Sequence, residues 1–295
     1  MRRGYYLVAV VFMWFLSGCG STKYIELTQT AEYAFEQDDY QSALASSEQI
    51  ISGLEDKNKP VAGQVYAIAG NSAYALKRYD KSLNYLEEAR QQDYSGELMY
   101  FFLASLYRRI DNLSKEINAL ETYNRLFPEG KEINHVRSRL YQTCLESTNY
   151  ELADSLWAQL DESSKQNLVI LETHLEINKA QEKNTNCDWA AAEILKQDKN
   201  NEQALEWLAR KYFWKAENRY QAEMEAYEKN HTRKQYNILL KAFKIVTADF
   251  KESLKYYTRL YDLYPGPEYA GYLGNIYARL DDEKMAKHYR DLSNQ

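Results

Sequence analysis

From Tyr24 onward, apolar residues return every three or four positions, the spacing that gathers them on one face of an α-helix. Short polar breaks separate these stretches. Within them, an aromatic residue is repeatedly followed by a smaller one three positions later. The examples are Asp39-Tyr40-x-x-Ala43, Arg78-Tyr79-x-x-Ser82, Asn149-Tyr150-x-x-Ala153, Asp188-Trp189-x-x-Ala192 and Asp249-Phe250-x-x-Ser253. Such pairs share one helical face, and Ala153 leads to Trp157 and Ser253 to Tyr257 four positions on. Pro60, Pro128, Pro265 and Pro267 all fall between periodic stretches, where they break no helix. The pattern predicts helix pairs at about 24–57, 63–96, 97–130, 134–167, 170–200, 202–233, 234–266 and 267–295. The region 168–233 is the least regular. Ala191, Ala192 and Ile194 mark a short second helix there. The run from Glu202 to Lys229 carries Leu205, Leu208, Tyr212, Ala216, Tyr220 and Tyr227 without a breaker, long for one helix of a pair.

A second motif marks the first helices. It reads Leu273-Gly274-Asn275-Ile276-Tyr277, Leu208-Ala209-Arg210-Lys211-Tyr212 and Leu103-Ala104-Ser105-Leu106-Tyr107. In Ala69-Gly70-Asn71-Ser72-Ala73 the aromatic is displaced to Tyr74. Pro128 and Pro265 are 137 residues apart, close to four periods of 34. An L-G-x-x-Y first helix, an aromatic-then-small second helix and a closing Pro resemble the tetratricopeptide repeat (TPR) family over residues 24–295. The resemblance implies an all-α fold, a right-handed superhelix of about seven to eight stacked helical hairpins. Two helices cross closely only where a small side chain lets the backbones approach, so Gly70, Ala104 and Gly274 are expected to face residues such as Ala43, Ser82, Ala153 and Ala286. No hairpin buries its apolar face alone, so at least three must stack. The pair after Pro265-Gly266-Pro267 is expected to form the polar cap.

The first residues follow a different rule. Arg2 and Arg3 precede a 12-residue apolar run from Tyr5 to Leu16, then Ser17-Gly18-Cys19. A basic start, a short apolar core and small residues before a cleavage site describe a secretory signal peptide. The run is too short for a spanning helix, which needs about 20 residues. Leu16-Ser17-Gly18-Cys19 resembles the lipobox of bacterial lipoproteins. That implies a signal peptide over 1–18, acylation of Cys19 and a lipidated tether over 19–23, with the acyl chains anchoring the protein stably. No Asp follows Cys19 and no acidic run succeeds it, which leans toward an outer-membrane anchor facing the periplasm.

Composition narrows the function. The chain has 295 residues and a formal charge of −6, which excludes the Lys/Arg excess of a nucleic-acid binder. Losing residues 1–18 makes it two charges more acidic. Only 11 Gly and 4 Pro are present, too few for a β-sandwich or a Gly-looped α/β enzyme. His135, His174, His231 and His288 show no metal-ligand spacing, and no cofactor or metal is expected. Cys144 sits on an apolar helical face and Cys187 opens a second helix. They read as small hydrophobes, with a disulfide as the alternative in an oxidising compartment. No Ser/His/Asp signature or nucleophile elbow occurs, so the chain is not expected to be an enzyme.

A TPR array offers a concave face lined by first helices, and that face is the expected partner-binding groove. Projected onto helices, Asn71, Tyr74, Phe101, Ser105 and Arg108 line it, with Phe35 either lining it or packed in the core. Thr28 and Glu32 occupy the leading positions, so the Lys/Asn clamp of TPR domains that bind chaperone tails is not reproduced. The expectation is a membrane-anchored, non-catalytic scaffold that binds a protein or peptide partner in the periplasm, in envelope assembly or maintenance. Two alternatives stay open: a glycan- or peptidoglycan-binding module, and an enzyme with its site in 168–233.

Overall fold

The computed structural model describes residues 19–294, with side chains from Lys23 onward. The expected signal peptide over 1–18 and the Cys19 side chain lie outside the described residues. Every regular element among the described residues is helical: α1 (Cys19–Glu36), α2 (Tyr40–Glu55), α3 (Gly63–Ala75), α4 (Tyr79–Gln91), α5 (Glu97–Arg109), α6 (Leu113–Leu126), α7 (Ile133–Glu146), α8 (Tyr150–Gln159), the single turn α9 (Glu162–Lys165), α10 (Leu168–Ala180), α11 (Asn184–Gln197), α12 (Glu202–Lys229), α13 (Arg233–Leu263), α14 (Pro267–Arg279) and α15 (Glu283–Ser293). The chain divides into two compact units, residues 1–143 and 144–295.

The turn inside each regular hairpin is built the same way. Asp38, Lys77, Asp111, Thr148, Glu182 and Asp281 adopt the left-handed conformation, with φ between 55° and 64°. That conformation reverses the chain at a helix C-terminus, at a cost for any residue but Gly. Each is followed directly by the N-cap of the next helix. Asp39, Asn112, Asn149 and Asp282 accept a hydrogen bond from a backbone N–H three residues on, satisfying a donor that the helix leaves orphaned.

In the first unit α1 packs on α2, α3 on α4 and α5 on α6, and α3 lies beside both α1 and α5. The close crossing expected at Gly70 is present. A Cβ there would lie 2.3 Å from Leu86 Cδ2, and Ser82 Oγ donates to the Gly70 carbonyl at 2.8 Å. The third second-helix carries Glu116 where the others carry a small residue. Glu116 is buried, and Arg139 of α7 binds its carboxylate with two hydrogen bonds, at 2.6 and 3.0 Å. An unpaired carboxylate there would face a desolvation penalty of several kcal/mol.

The second unit corrects the expected hairpin boundaries. The pairs predicted at 202–233 and 234–266 do not exist as two hairpins. The 28-residue α12 and the 31-residue α13 form one long antiparallel hairpin. Ser253 Oγ donates to the Ala209 carbonyl at 2.9 Å across 44 residues, the counterpart of Ser82 to Gly70 across 12. Leu208-Ala209 and Phe250-x-x-Ser253 are therefore the two halves of one repeat, lengthened by about 32 residues. Asp249 stands four residues before Ser253, where Asp39 stands before Ala43, yet it lies inside α13 rather than capping it. The 137 residues from Pro128 to Pro265 are three repeats plus this insertion, not four repeats. The motif Asp188-Trp189-x-x-Ala192 is also out of register. Trp189 and Ala192 are exposed, and the seam of α11 against α10 is made by Cys187, Ala191 and Ile194.

Candidate peptide-binding groove

Three first helices, α1, α3 and α5, lie side by side in the first unit, and His135 of α7 touches α5 through Phe101. The residues singled out from the sequence fall on two of these helices. Asn71 and Tyr74 sit one turn apart on α3, and Phe101, Ser105 and Arg108 occupy successive turns of α5. These spacings of three and four hold each group on one face.

The aromatic residues form a connected run. Tyr74 stacks flat on Phe102, with ring centroids 4.0 Å apart and planes within 11°, and meets Tyr79 edge-on. Phe102 tilts against Phe101, which meets His135 of α7 edge-on at 5.5 Å. Tyr74 and Phe101 thus communicate through Phe102, a residue that helical projection did not select. Stacking of this kind contributes about 1 kcal/mol per pair beyond area burial, so the half-buried rings are held in place before any ligand arrives.

The polar members differ in how well the chain satisfies them. Ser105 Oγ donates to the Phe101 carbonyl at 3.2 Å and is spent within its own helix. Asn71 is half-buried, and its Oδ1 is enclosed with no hydrogen-bond partner among the described residues. Leaving such an acceptor unmade costs about 1–3 kcal/mol. Arg108 is exposed and enters no ion pair among the described residues, whereas Arg109 beside it lies over the Tyr79 ring at 4.3 Å. Gln64 at the start of α3 donates to Glu32 of α1, tying the first two helices together. Phe35 belongs to packing: it meets Tyr40 edge-on and covers the cluster of Ala31, Ala34, Ala43 and Ile68.

The first helices of the second unit present a different surface. Arg210 pairs with Glu206 and Glu268, Arg279 with Glu217, and Asn201 with Glu172. Their charges are consumed by neighbours.

The irregular region holds a second cluster of titratable and aromatic side chains. His174 stacks on Trp157 at 3.6 Å and meets Trp189 edge-on. Burial there pulls its pKa down to about 4, with Lys183 adding to the effect against Asp154. Burial pushes the Cys187 thiol up to about 11. Both groups are therefore neutral near pH 7 and enclosed, which describes packing rather than a poised acid, base or nucleophile. Cys144 and Cys187 are buried and are not joined by a disulfide. Among the described residues no three His, Cys, Asp or Glu side chains converge as metal ligands, and no helix is long and apolar enough to cross a membrane.

No family model matches the chain, and no curated protein matches it. Solved structures do. YrrB, described as a TPR protein with an unusual peptide-binding site, superposes with a TM-score of 0.50 at 13% identity, covering 63% of this chain and 92% of that one. A tetratricopeptide repeat protein from Parabacteroides merdae covers 93% of this chain and 100% of its own at 14% identity and a TM-score of 0.43. The C-terminal part of a TPR repeat-containing protein from Cytophaga hutchinsonii covers 90% and 93% at 12% identity and a TM-score of 0.48. The likeness to YrrB establishes the fold: this is an all-α chain of TPR type.

Proposed function

We propose that this TPR-fold chain is a non-catalytic scaffold that holds an extended segment of a protein partner in the groove of its first unit. The preset aromatic run of Tyr74, Phe102 and Phe101, on the same two helices as the exposed Arg108, carries the reading. An extended peptide offers backbone groups to the half-buried Asn71 amide, apolar side chains to Tyr74 and Phe101, and a carboxylate to Arg108. YrrB, the neighbour with the same fold, is described by its peptide-binding site, which supports the assignment of class. Residues 1–18 act as a signal peptide, and acyl chains on Cys19 hold the scaffold on the periplasmic face of the outer membrane in an envelope-assembly or maintenance role. Confinement to a surface raises the local concentration of scaffold and client without any new contact.

The test is site-specific photo-crosslinking in intact cells. A crosslinking side chain at Ser105 is expected to yield a discrete adduct that disappears when Asn71→Ala and Arg108→Glu are combined, while Asn84, exposed on α4, yields none. Equal adducts from Ser105 and Asn84, or an adduct indifferent to the double substitution, would overturn the groove assignment. The anchor is tested separately. Cys19→Ala should move the protein from the membrane to the soluble fraction, and unchanged fractionation would refute it.

A further inference from the structure

The insertion in the long hairpin has a surface of its own. Residues 217–248 separate Ala216 from Asp249, the two positions that a regular repeat would join at its turn. Packing of neighbouring hairpins accounts for little of this arm. Arg279, in the last turn of α14, reaches Glu217 and lies over the Tyr220 ring at 4.1 Å, near the base of the insertion. The arm is held together by its own contacts, Tyr220 stacked on Phe243 and Tyr227 against Tyr236.

From Arg233 to Ala248 the sequence contains no Asp or Glu. Lys234, Lys241, Lys244 and Lys251 fall on one stripe of α13, and all four are exposed. None is within ion-pair reach of a carboxylate among the described residues. Elsewhere cations are widely matched: Lys215 at the base of this hairpin binds Asp249, Lys211 binds Asp188, and on the arm itself Lys229 binds Glu225. The arm's Glu217 is taken by Arg279, and Glu223 and Glu228 do not reach α13. Beside the lysine stripe lie Ile238 and Ile245, 40% and 44% exposed. Like charges stacked along a helix and bare isoleucines both disfavour the isolated arm.

We propose that this face of α13 is a docking surface for an acidic amphipathic helix of a partner protein, distinct from the peptide groove. Ile238, Lys241, Ile245 and Ala248 follow spacings of three, four and three, the seam that a second helix meets when it lies alongside. The stripe from Lys234 to Lys251 is about 26 Å long, enough to oppose some five turns of partner helix. Apolar side chains of the partner would sit between the isoleucines, and its Glu or Asp residues would flank them against the lysines. A lipid surface fits less well, because Lys241 lies within the apolar seam. The net charge of −6 also opposes approach to anionic lipid.

The probe is a fluorescein-labelled 21-residue helical peptide with Leu at alternating three- and four-residue spacing and Glu at the flanking positions. Fluorescence anisotropy is read with the full chain kept in detergent. Binding is expected, weakening with added salt, and Lys241→Glu with Lys244→Glu should reduce affinity by about tenfold or more. A peptide with Lys in place of Glu should recover binding to that variant, because the charges are then exchanged. Ile238→Ser with Ile245→Ser, both at exposed positions, should also lose binding while far-UV circular dichroism stays unchanged. Equal binding by wild type and both variants, or no binding by wild type, would overturn the proposal. So would binding to phosphatidylserine vesicles in place of the peptide. A lysine-dependent self-association in sedimentation would assign the face to a second copy instead and equally refute it.

Discussion

Replacing Gly70 by Ala should destabilise the protein, although Ala is the better helix former. In an open helix interior the change would gain about 1 kcal/mol. Here the added Cβ would lie 2.3 Å from Leu86 Cδ2, 2.6 Å from its Cγ and 3.1 Å from its backbone nitrogen. Ordinary carbon contacts are about 3.5–4 Å. Leu86 is fully buried, so its side chain has no open space to rotate into, and the approach of its backbone nitrogen means α4 itself must give way. Overpacking of this kind costs about 1–3 kcal/mol, and the upper part of that range exceeds the propensity gain. The expected net loss is about 1–2 kcal/mol. Leu86→Ala alone should cost about 2–5 kcal/mol through the cavity it opens. Combined, the two should cost less than their sum by about 2 kcal/mol, because the shortened side chain makes room for the new methyl. Urea unfolding followed by far-UV circular dichroism gives the midpoints, and hydrogen exchange in α3 and α4 locates the effect where a repeat array unfolds in stages. A stabilised Gly70→Ala protein, or additivity within about 0.5 kcal/mol, would refute the close-crossing argument.

Two further outcomes follow from the second unit. His174 has a folded pKa near 4 against an ordinary 6.5, so the fold favours its neutral form. Its contribution to stability is complete above pH 6.5 and is lost as pH falls toward 4, amounting to about 3 kcal/mol for the whole shift. Stability of wild type minus that of His174→Gln, measured by urea unfolding from pH 7.5 to 4, should fall accordingly, and a flat difference would refute it. Excising 217–248 and changing Ala216 to Gly should restore a regular turn, with Gly in the left-handed position and Asp249 as N-cap. Cooperative thermal unfolding should survive within a few degrees of wild type, since Ala209 and Ser253 would again stand 12 residues apart as Gly70 and Ser82 do. Loss of the cooperative transition would show that the arm is part of the repeat core.

Much of the fold was legible because its signals are local. The left-handed turn and its cap are adjacent residues, such as Asp38 and Asp39. The face of a helix follows from spacing alone, so Asn71 and Tyr74 could be placed together, as could Phe101, Ser105 and Arg108. Errors arose where a motif fitted more than one partner. Asp249-Phe250-x-x-Ser253 is a sound second helix, but nothing nearby says that its first helix begins 47 residues before Asp249, at Glu202. The Asp188-Trp189 motif was misread because an exposed Trp and a buried one have the same letter. Glu116 went unrecognised as a seam residue because its tolerance there depends on Arg139, 23 residues on. The aromatic link through Phe102 was missed for the same reason, since it is made between helices.

The sequence by itself determined that the chain is helical, that its helices pair and where most turns fall. These are consequences of residue type and spacing within a few turns of chain, and local backbone geometry suffices to express them. Tertiary structure alone decided which halves form a repeat, which charges are neutralised and which stay bare, and that Asn71 keeps an unmade hydrogen bond. Those properties depend on what a side chain meets across a helix interface. Burial converts the same Lys, Glu or Asn from a solvated group into a paired or orphaned one, and no single stretch of sequence carries that information.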